Sequence, residues 1–183
     1  MAFMDNTLSF STSWSSPQTV TTTADSTNVI DITGAGSGNA PAMINGFPAT
    51  NTAIGEDIGV GDGVAIPYVY ISVPTTTGGT QTGTVTISLS AAPDDGSYGQ
   101  GSYTTLFTLP AITGTNLNSA AGHYVIFQVP PTHFAWPSEA LPRFYKLTYT
   151  VSGTQSTKFL AGIMLNPPSS VLLGSYNENF IAV

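Results

Sequence analysis

The stretch that decides the fold reads Thr84-Val85-Thr86-Ile87-Ser88-Leu89-Ser90-Ala91. Apolar side chains occupy every second position, and hydroxyl side chains occupy the positions between them. This two-residue period is typical of a β-strand that places one face in a core and the other in water. We therefore predict a strand over 84–91.

The rest of the chain repeats this pattern in short runs. Nineteen Gly and 13 Pro punctuate runs rich in Val, Ile, Thr, Tyr and Phe, which is typical of many short strands joined by turns. Seven further strands are predicted over 18–23, 27–32, 64–73, 102–109, 124–129, 143–151 and 158–165. No segment has a convincing helical period. The long connection 34–63 is expected to carry a functional surface or extra short strands.

About eight antiparallel strands without helices predict an all-β fold, either a sandwich or a barrel. Long connections between short strands favour an antiparallel β-sandwich of the jelly-roll type. The length of 183 residues fits a single domain over 1–183. The N-terminus has neither a basic nor an apolar leader pattern, so we expect synthesis in a cytoplasm.

The chain carries unusually little charge. Only 7% of its residues are Asp, Glu, Lys or Arg, against roughly a quarter in an ordinary soluble domain, whereas Thr and Ser number 27 and 19. The net charge is −7, and Arg143, Lys146 and Lys158 are the only Lys or Arg residues. This composition argues against nucleic acid and against an anionic membrane surface as partners.

The strand edges of such a sheet need protection, and lysines usually provide it. With only two lysines available, we expect the edges to be covered by the chain's own arms or by partner subunits. Residues 1–16 and 166–183 are predicted to be apolar arms that either fold back on the sandwich or reach a neighbouring subunit. The candidate interface residues are Phe3, Leu8, Phe10, Trp14, Trp136, Leu172, Tyr176 and Phe180.

Chemical motifs are sparse. His123 and His133 lack the spacing of metal ligands, and there is no cysteine, nucleophile elbow or phosphate-binding loop. The acidic, glycine-rich loop 56–62 contains oxygen ligands that calcium could use, but a solvated turn is the simpler interpretation. We therefore expect no catalytic residues, no cofactor and no metal, and we do not expect an enzyme.

Aromatic residues leave a second class of function open. Tyr98, Tyr103, Tyr124 and Trp136 could form a sugar-binding face, although aromatics at strand spacing more often serve a core or an interface. Trp136 lies in a bulky loop bounded by prolines, which either covers one end of the sandwich or anchors a contact. The alternative function is thus a surface module that binds a carbohydrate or a receptor.

Two segments resemble a known family. Residues 16–32 contain Ser26-Thr27-Asn28-Val29-Ile30-Asp31, and residues 143–153 begin Arg143-Phe144-Tyr145-Lys146-Leu147 and precede the run 159–163. Together they resemble the capsid cement (decoration) proteins of tailed bacteriophages. The middle of the chain resembles the family only in its general character. The connection 34–63 and the tail after Asn166 depart from the shorter members of the family.

The resemblance implies a structural role. It implies a jelly-roll protein that is made in the bacterial host cytoplasm and attaches to the outer surface of the virion capsid. There it would self-associate and bind neighbouring subunits of the major capsid protein, with no catalytic residues. Closed symmetry would make the self-contact a homodimer or a homotrimer.

Overall fold

The computed structural model describes residues 8–31, 43–44, 47–48, 67–75, 81–95, 97, 99–118, 124–129 and 142–165. These residues are organised mainly as β-strands, with one short helix. The elements are β1 (Gln18–Val20), β2 (Ala24–Asp25), β3 (Ile30–Asp31), β4 (Met43–Ile44), β5 (Phe47–Pro48), β6 (Pro67–Ser72), β7 (Thr84–Ala92), β8 (Thr104–Thr108), β9 (Ile112–Thr113), α1 (Gly114–Asn118), β10 (Tyr124–Gln128), β11 (Phe144–Ser152) and β12 (Thr157–Leu165).

The strands form two main antiparallel sheets and a small hairpin. The four-stranded sheet has the order β1-β12-β6-β10, and the six-stranded sheet has the order β2-β11-β7-β8 with β3 on β11 and β9 on β7. The longest ladder joins β7 to β11 in unbroken register from Thr84 opposite Ser152 to Ala92 opposite Phe144. β4 and β5 pair with each other. Among the long strands, β11 and β12 are consecutive in sequence yet belong to different sheets.

The core lies between the two sheets. Alternate residues of the deciding strand, Val85, Ile87, Leu89 and Ala91, are all buried, as their period predicts. Two aromatic pairs connect the sheets: Tyr149 of β11 stacks on Phe159 of β12 at 5.1 Å, and Phe107 of β8 lies 4.6 Å from Phe127 of β10. The fold is therefore all-β and antiparallel, as predicted. The jelly-roll wiring stays a prediction.

The first described residues belong to the sandwich itself. Leu8 is 4% exposed and Phe10 is fully buried, both within the main core. The backbone of Phe10 donates to the carbonyl of Ala161 at 2.9 Å, and Ser9 forms a β-bridge to Gly162. Residues 8–16 therefore fold back on their own subunit. Of the two alternatives for the segment 1–16, this part follows the first, because its apolar side chains Leu8 and Phe10 complete the core of the same subunit.

Side-chain hydroxyl groups bond the backbone of β12 beyond the point where its pairing with β1 ends. Ser11 Oγ donates to the carbonyl of Phe159 at 3.2 Å and accepts from the amide of Ala161 at 3.0 Å. From the other side, Asn28 Nδ2 donates to the carbonyls of Ser9 and Ser11 at 3.1 and 2.5 Å. We call residues 9–11 the serine strap. It protects the edge of β12 beyond the end of β1, because it occupies the backbone groups that would otherwise be open.

All eight predicted strands are present, with shifted ends. The structure adds four strands of two residues each, β2, β4, β5 and β9, two of which lie in the long connection 34–63. It also contains the helix α1, so the expectation of no helix is wrong at this point. A five-residue helix has too few turns to produce an apolar period in the sequence.

Candidate interaction surfaces

Arg143 forms a buried cluster of charges at the start of β11. Its Nε and Nη2 donate to the two carboxylate oxygens of Asp31, both at 2.9 Å, and its Nη1 forms a second ion pair with Asp94. The side chains of Arg143 and Asp31 are 7% and 0% exposed. Hydrogen bonds from Arg143 to Asp31 raise the pKa of Arg143, outweighing the effect of burial. The cluster ties β3 and the turn after β7 to β11.

Lys146 forms a second, more exposed pair. Its Nζ donates to Asp25 at 2.7 Å and lies 4.2 Å from the centre of the Tyr103 ring. Thr148 Oγ1 donates to the other oxygen of Asp25, also at 2.7 Å. Burial alone would raise the pKa of Asp25, but these hydrogen bonds outweigh it and lower that pKa. Burial, with the nearby charge of Asp25, raises the pKa of Tyr103 to about 12.

The outer face of the six-stranded sheet is covered by hydroxyl groups. Strand register places ten Ser and Thr side chains on the face opposite the core. They are Thr84, Thr86, Ser88, Ser90, Thr105, Thr108, Thr113, Thr148, Thr150 and Ser152. We call this set the hydroxyl face. The ionic groups that it exposes among the described residues are Lys146 and Asp25, which neutralise each other.

Part of the hydroxyl face is internally satisfied and part is open. Ser88 bonds Thr108 at 3.1 Å, and Ser90 bonds Thr105 at 3.4 Å. Thr86 and Thr150 lie directly opposite each other near the centre of the sheet, and Thr150 is exposed. Their hydroxyls make no hydrogen bond to another described residue, so they can donate to and accept from a partner surface.

A third surface is the outer edge of β10. This strand pairs with β6 through five consecutive residues, and no described residue pairs with its other side. Val125 of β10 is 40% exposed, more than any other large hydrophobic side chain of the described residues. Val125 lies opposite the buried Ile71, so its side chain is on the core-facing side of the sheet, where the outer edge of β10 leaves it exposed.

The structure separates the predicted interface residues. Leu8 and Phe10 are core residues and present almost no surface to a partner, so the prediction that they form an interface is corrected by their burial. Trp14 is half-buried and packs on Tyr70 at 6.0 Å. The remaining candidates, Phe3, Trp136, Leu172, Tyr176 and Phe180, lie outside the described residues, as do both histidines and the acidic loop 56–62.

Three further features bear on the function: a metal site, a membrane span and a sugar-binding face. Within the described ranges, no three His, Cys, Asp or Glu side chains are grouped so as to hold a metal ion. No helix of that part of the chain is long and apolar enough to cross a membrane. Of the proposed sugar-binding aromatics, Tyr103 has the cation of Lys146 over its ring and bonds Gln100 through its hydroxyl at 2.9 Å.

Sequence reasoning missed the Arg143 cluster and the β10 edge. Asp31 and Asp94 lie 112 and 49 residues from Arg143, so no local spacing signals the cluster. The edge had a signal that could have been used, since 124–128 combines a continuous apolar run with no charge and no proline. In comparisons with known proteins, no family model and no curated protein matches this chain.

Proposed function

We propose that this protein is a structural capsid cement protein of a tailed bacteriophage. In this proposal it attaches to the outside of an assembled icosahedral shell, bridges neighbouring subunits of the major capsid protein and associates with copies of itself. It performs no chemical reaction. The proposal joins the resemblance of 16–32 and 143–153 to the surfaces described above.

The hydroxyl face is the observation that carries the proposal. Of its ten hydroxyls, those of Thr84, Thr86, Thr150 and Ser152 make no hydrogen bond to a described residue, so this face offers several weak donors and acceptors and almost no net charge. Two of the three basic residues form ion pairs within the subunit, so they cannot supply a positive patch for phosphate. Such a face suits a broad, static contact with another protein, where each group adds little and the total area decides.

The carbohydrate- or receptor-binding alternative has weaker support. It needs aromatic rings whose faces are open beside polar groups. Tyr103 is the candidate whose side chain is described, and Lys146 covers one face of its ring. We therefore keep the cement role as the proposed function.

Attachment can be tested by co-sedimentation with phage heads that lack this protein. The purified chain should sediment with the heads, and Thr150→Glu and Thr150→Lys should both weaken binding about tenfold or more. Either charge would be buried without a partner at the contact, which costs more than about 1.4 kcal/mol. Using both signs separates burial of a charge from attraction or repulsion by the shell.

Thr19 provides the matched control. It is exposed on β1 of the other sheet, opposite Lys158, so Thr19→Glu and Thr19→Lys change the same residue type away from the hydroxyl face. Both controls should bind heads as the unaltered protein does. Full binding by the two Thr150 variants would refute the hydroxyl face as the contact, and failure of the unaltered protein to bind any phage head would refute the cement role.

A further inference from the structure

Among the residues that the structure describes, β10 is the one outer strand edge of the two main sheets that shows none of the usual protections. β2 and β3 contain two residues each, and very short edge strands cannot template pairing. β8 shifts register against β7 between Leu89 and Ser90, and such a bulge twists an edge away from partners. β1 has three residues, and the side-chain amide of Gln18 donates to the carbonyl of Asp25 and accepts from the backbone N–H of Thr27.

β10 differs from these edges in each respect. It holds five residues in unbroken register with β6, it contains no charge and no proline, and it carries the exposed Val125. Natural proteins rarely leave an edge of this kind uncovered, because it is a template for another strand. The edge of β10 therefore has the properties of a pairing site.

We propose that β10 pairs antiparallel with β10 of a second copy of this chain, about a two-fold axis at Ile126. This inference rests on the self-association in the proposed function and identifies its surface. The pairing would join the two four-stranded sheets into one continuous sheet. A two-fold contact of this kind uses the same patch on both subunits.

The register of this pairing shows why a second copy is a suitable partner for β10. With Ile126 opposite its own copy, Val125 faces Phe127 of the partner subunit, and the same contact occurs twice. Both side chains lie on the core-facing side, since their partners on β6 are the buried Ile71 and Val69. Aromatic and β-branched residues form favourable cross-strand pairs. The exposed Val125 is thereby covered by a residue that this same strand supplies.

Charge also permits the contact. The segment 124–128 brings no ionic group to the axis, so no like charges of this strand oppose each other there. A five-residue strand is small beside the ~800 Å² that each partner buries in a standard interface. The dimer is thus expected to dissociate on dilution, and it must be measured over a concentration series.

Charge exchange at Ile126 tests the axis directly. Sedimentation velocity of the full chain, without phage heads, should show a monomer–dimer equilibrium. Ile126→Lys and Ile126→Glu place like charges opposite each other, and each should weaken dimerisation about tenfold or more. An equimolar mixture of the two variants should dimerise again, because the opposed charges then attract. That recovery also shows that both variants fold.

The matched control is Thr104→Lys. Thr104 is exposed on β8, at the protected edge of the other sheet, so this variant should dimerise as the unaltered protein does. A monomer at every attainable concentration would overturn the proposal, as would dimers that persist in the separate Ile126 variants or a mixture that stays monomeric. If the unaltered protein were monomeric and Ile126→Lys failed to bind phage heads, the edge of β10 would pair with a strand of the shell and not with a second copy. Because heads are absent from the sedimentation assay, its failure is distinct from failure of the cement role.

Discussion

At the scale of single residues, Gly162 shows how closely the N-terminal segment packs on the sandwich. A Cβ at this position would lie 2.4 Å from the ring of Trp14 and 2.7 Å from the carbonyl oxygen of Leu8. Trp14 packs in turn on Tyr70 of β6. The absence of a side chain at 162 therefore lets residues 8–14 lie directly on β12.

Gly162→Ala should destabilise the protein by about 1–3 kcal/mol, because the backbone at Leu8 and the Trp14 ring must both move. Urea denaturation followed by circular dichroism measures the change. Thr19→Ala, at an exposed position of β1, is the control and should change stability by less than about 0.5 kcal/mol. An unchanged midpoint for Gly162→Ala would contradict the close packing.

The buried charge cluster predicts a larger effect. Arg143→Met leaves the fully buried carboxylate of Asp31 without its cation, and breaking such a pair costs about 3–5 kcal/mol. Lys158→Met removes the same charge from a residue that has no ion pair with the described residues, and it should cost far less. The same denaturation assay compares them, and equal stability of the two variants would argue against the cluster as a clamp.

At the scale of elements, the pair between β2 and β11 gives a pH dependence. The pKa of Asp25 is lowered in the folded state, so the pair stabilises the fold above the unfolded pKa, about 3.9, and this contribution disappears as pH falls through the folded pKa. Asp25→Asn should lose this acid-dependent part. The exposed pair is worth less than about 1 kcal/mol.

Thermal unfolding from pH 7 down to pH 2 measures this contribution. The stability difference between the unaltered protein and Asp25→Asn should shrink below about pH 4. A difference that stays constant over the whole range would show that Asp25 acts through something other than its charge.

The serine strap is the second element that can be tested alone. Asn28→Asp replaces the donor that holds the carbonyls of Ser9 and Ser11 with an acceptor that repels them. The amides of Phe10 and Ala161 should then exchange with solvent faster, as measured by hydrogen exchange, while the amide of Leu89 in β7 stays protected as an internal control. Equal protection at Phe10 in both proteins would contradict the role of Asn28.

The sequence was most informative where an element is long. All eight predicted strands exist, and the alternation over 84–91 identified the buried face correctly, because a long strand samples its period several times. Strands of two residues, such as β9, and the five-residue α1 are too short for any period. The Arg143 cluster spans separations of 49 and 112 residues, and the serine strap bonds β12 across 148 and 150 residues, which single-sequence patterns do not encode.

At the scale of the whole molecule, deletions at the two ends of the chain should have different effects. Deletion of 1–16 would remove Leu8 and Phe10 from the core, so it should unfold the sandwich or strongly destabilise it rather than release an arm. Deletion of 166–183 removes no described residue and remains the cleaner probe of attachment. Thermal melting of both truncated proteins distinguishes the two effects.

The described part of the molecule combines a hydroxyl face, internally paired charges and the unpaired edge of β10. Together these features suit a subunit that works by contact in an ordered array. The hydroxyl face and the β10 edge lie on different sheets, so one can meet a shell while the other meets a second copy.

The most direct test of this account measures the temperature at which phage heads open, with and without added protein. Heads that lack the protein should open at a lower temperature, adding the full chain should raise that temperature, and Thr150→Glu should raise it much less. An opening temperature that does not change when the protein is added in excess would contradict the cement role.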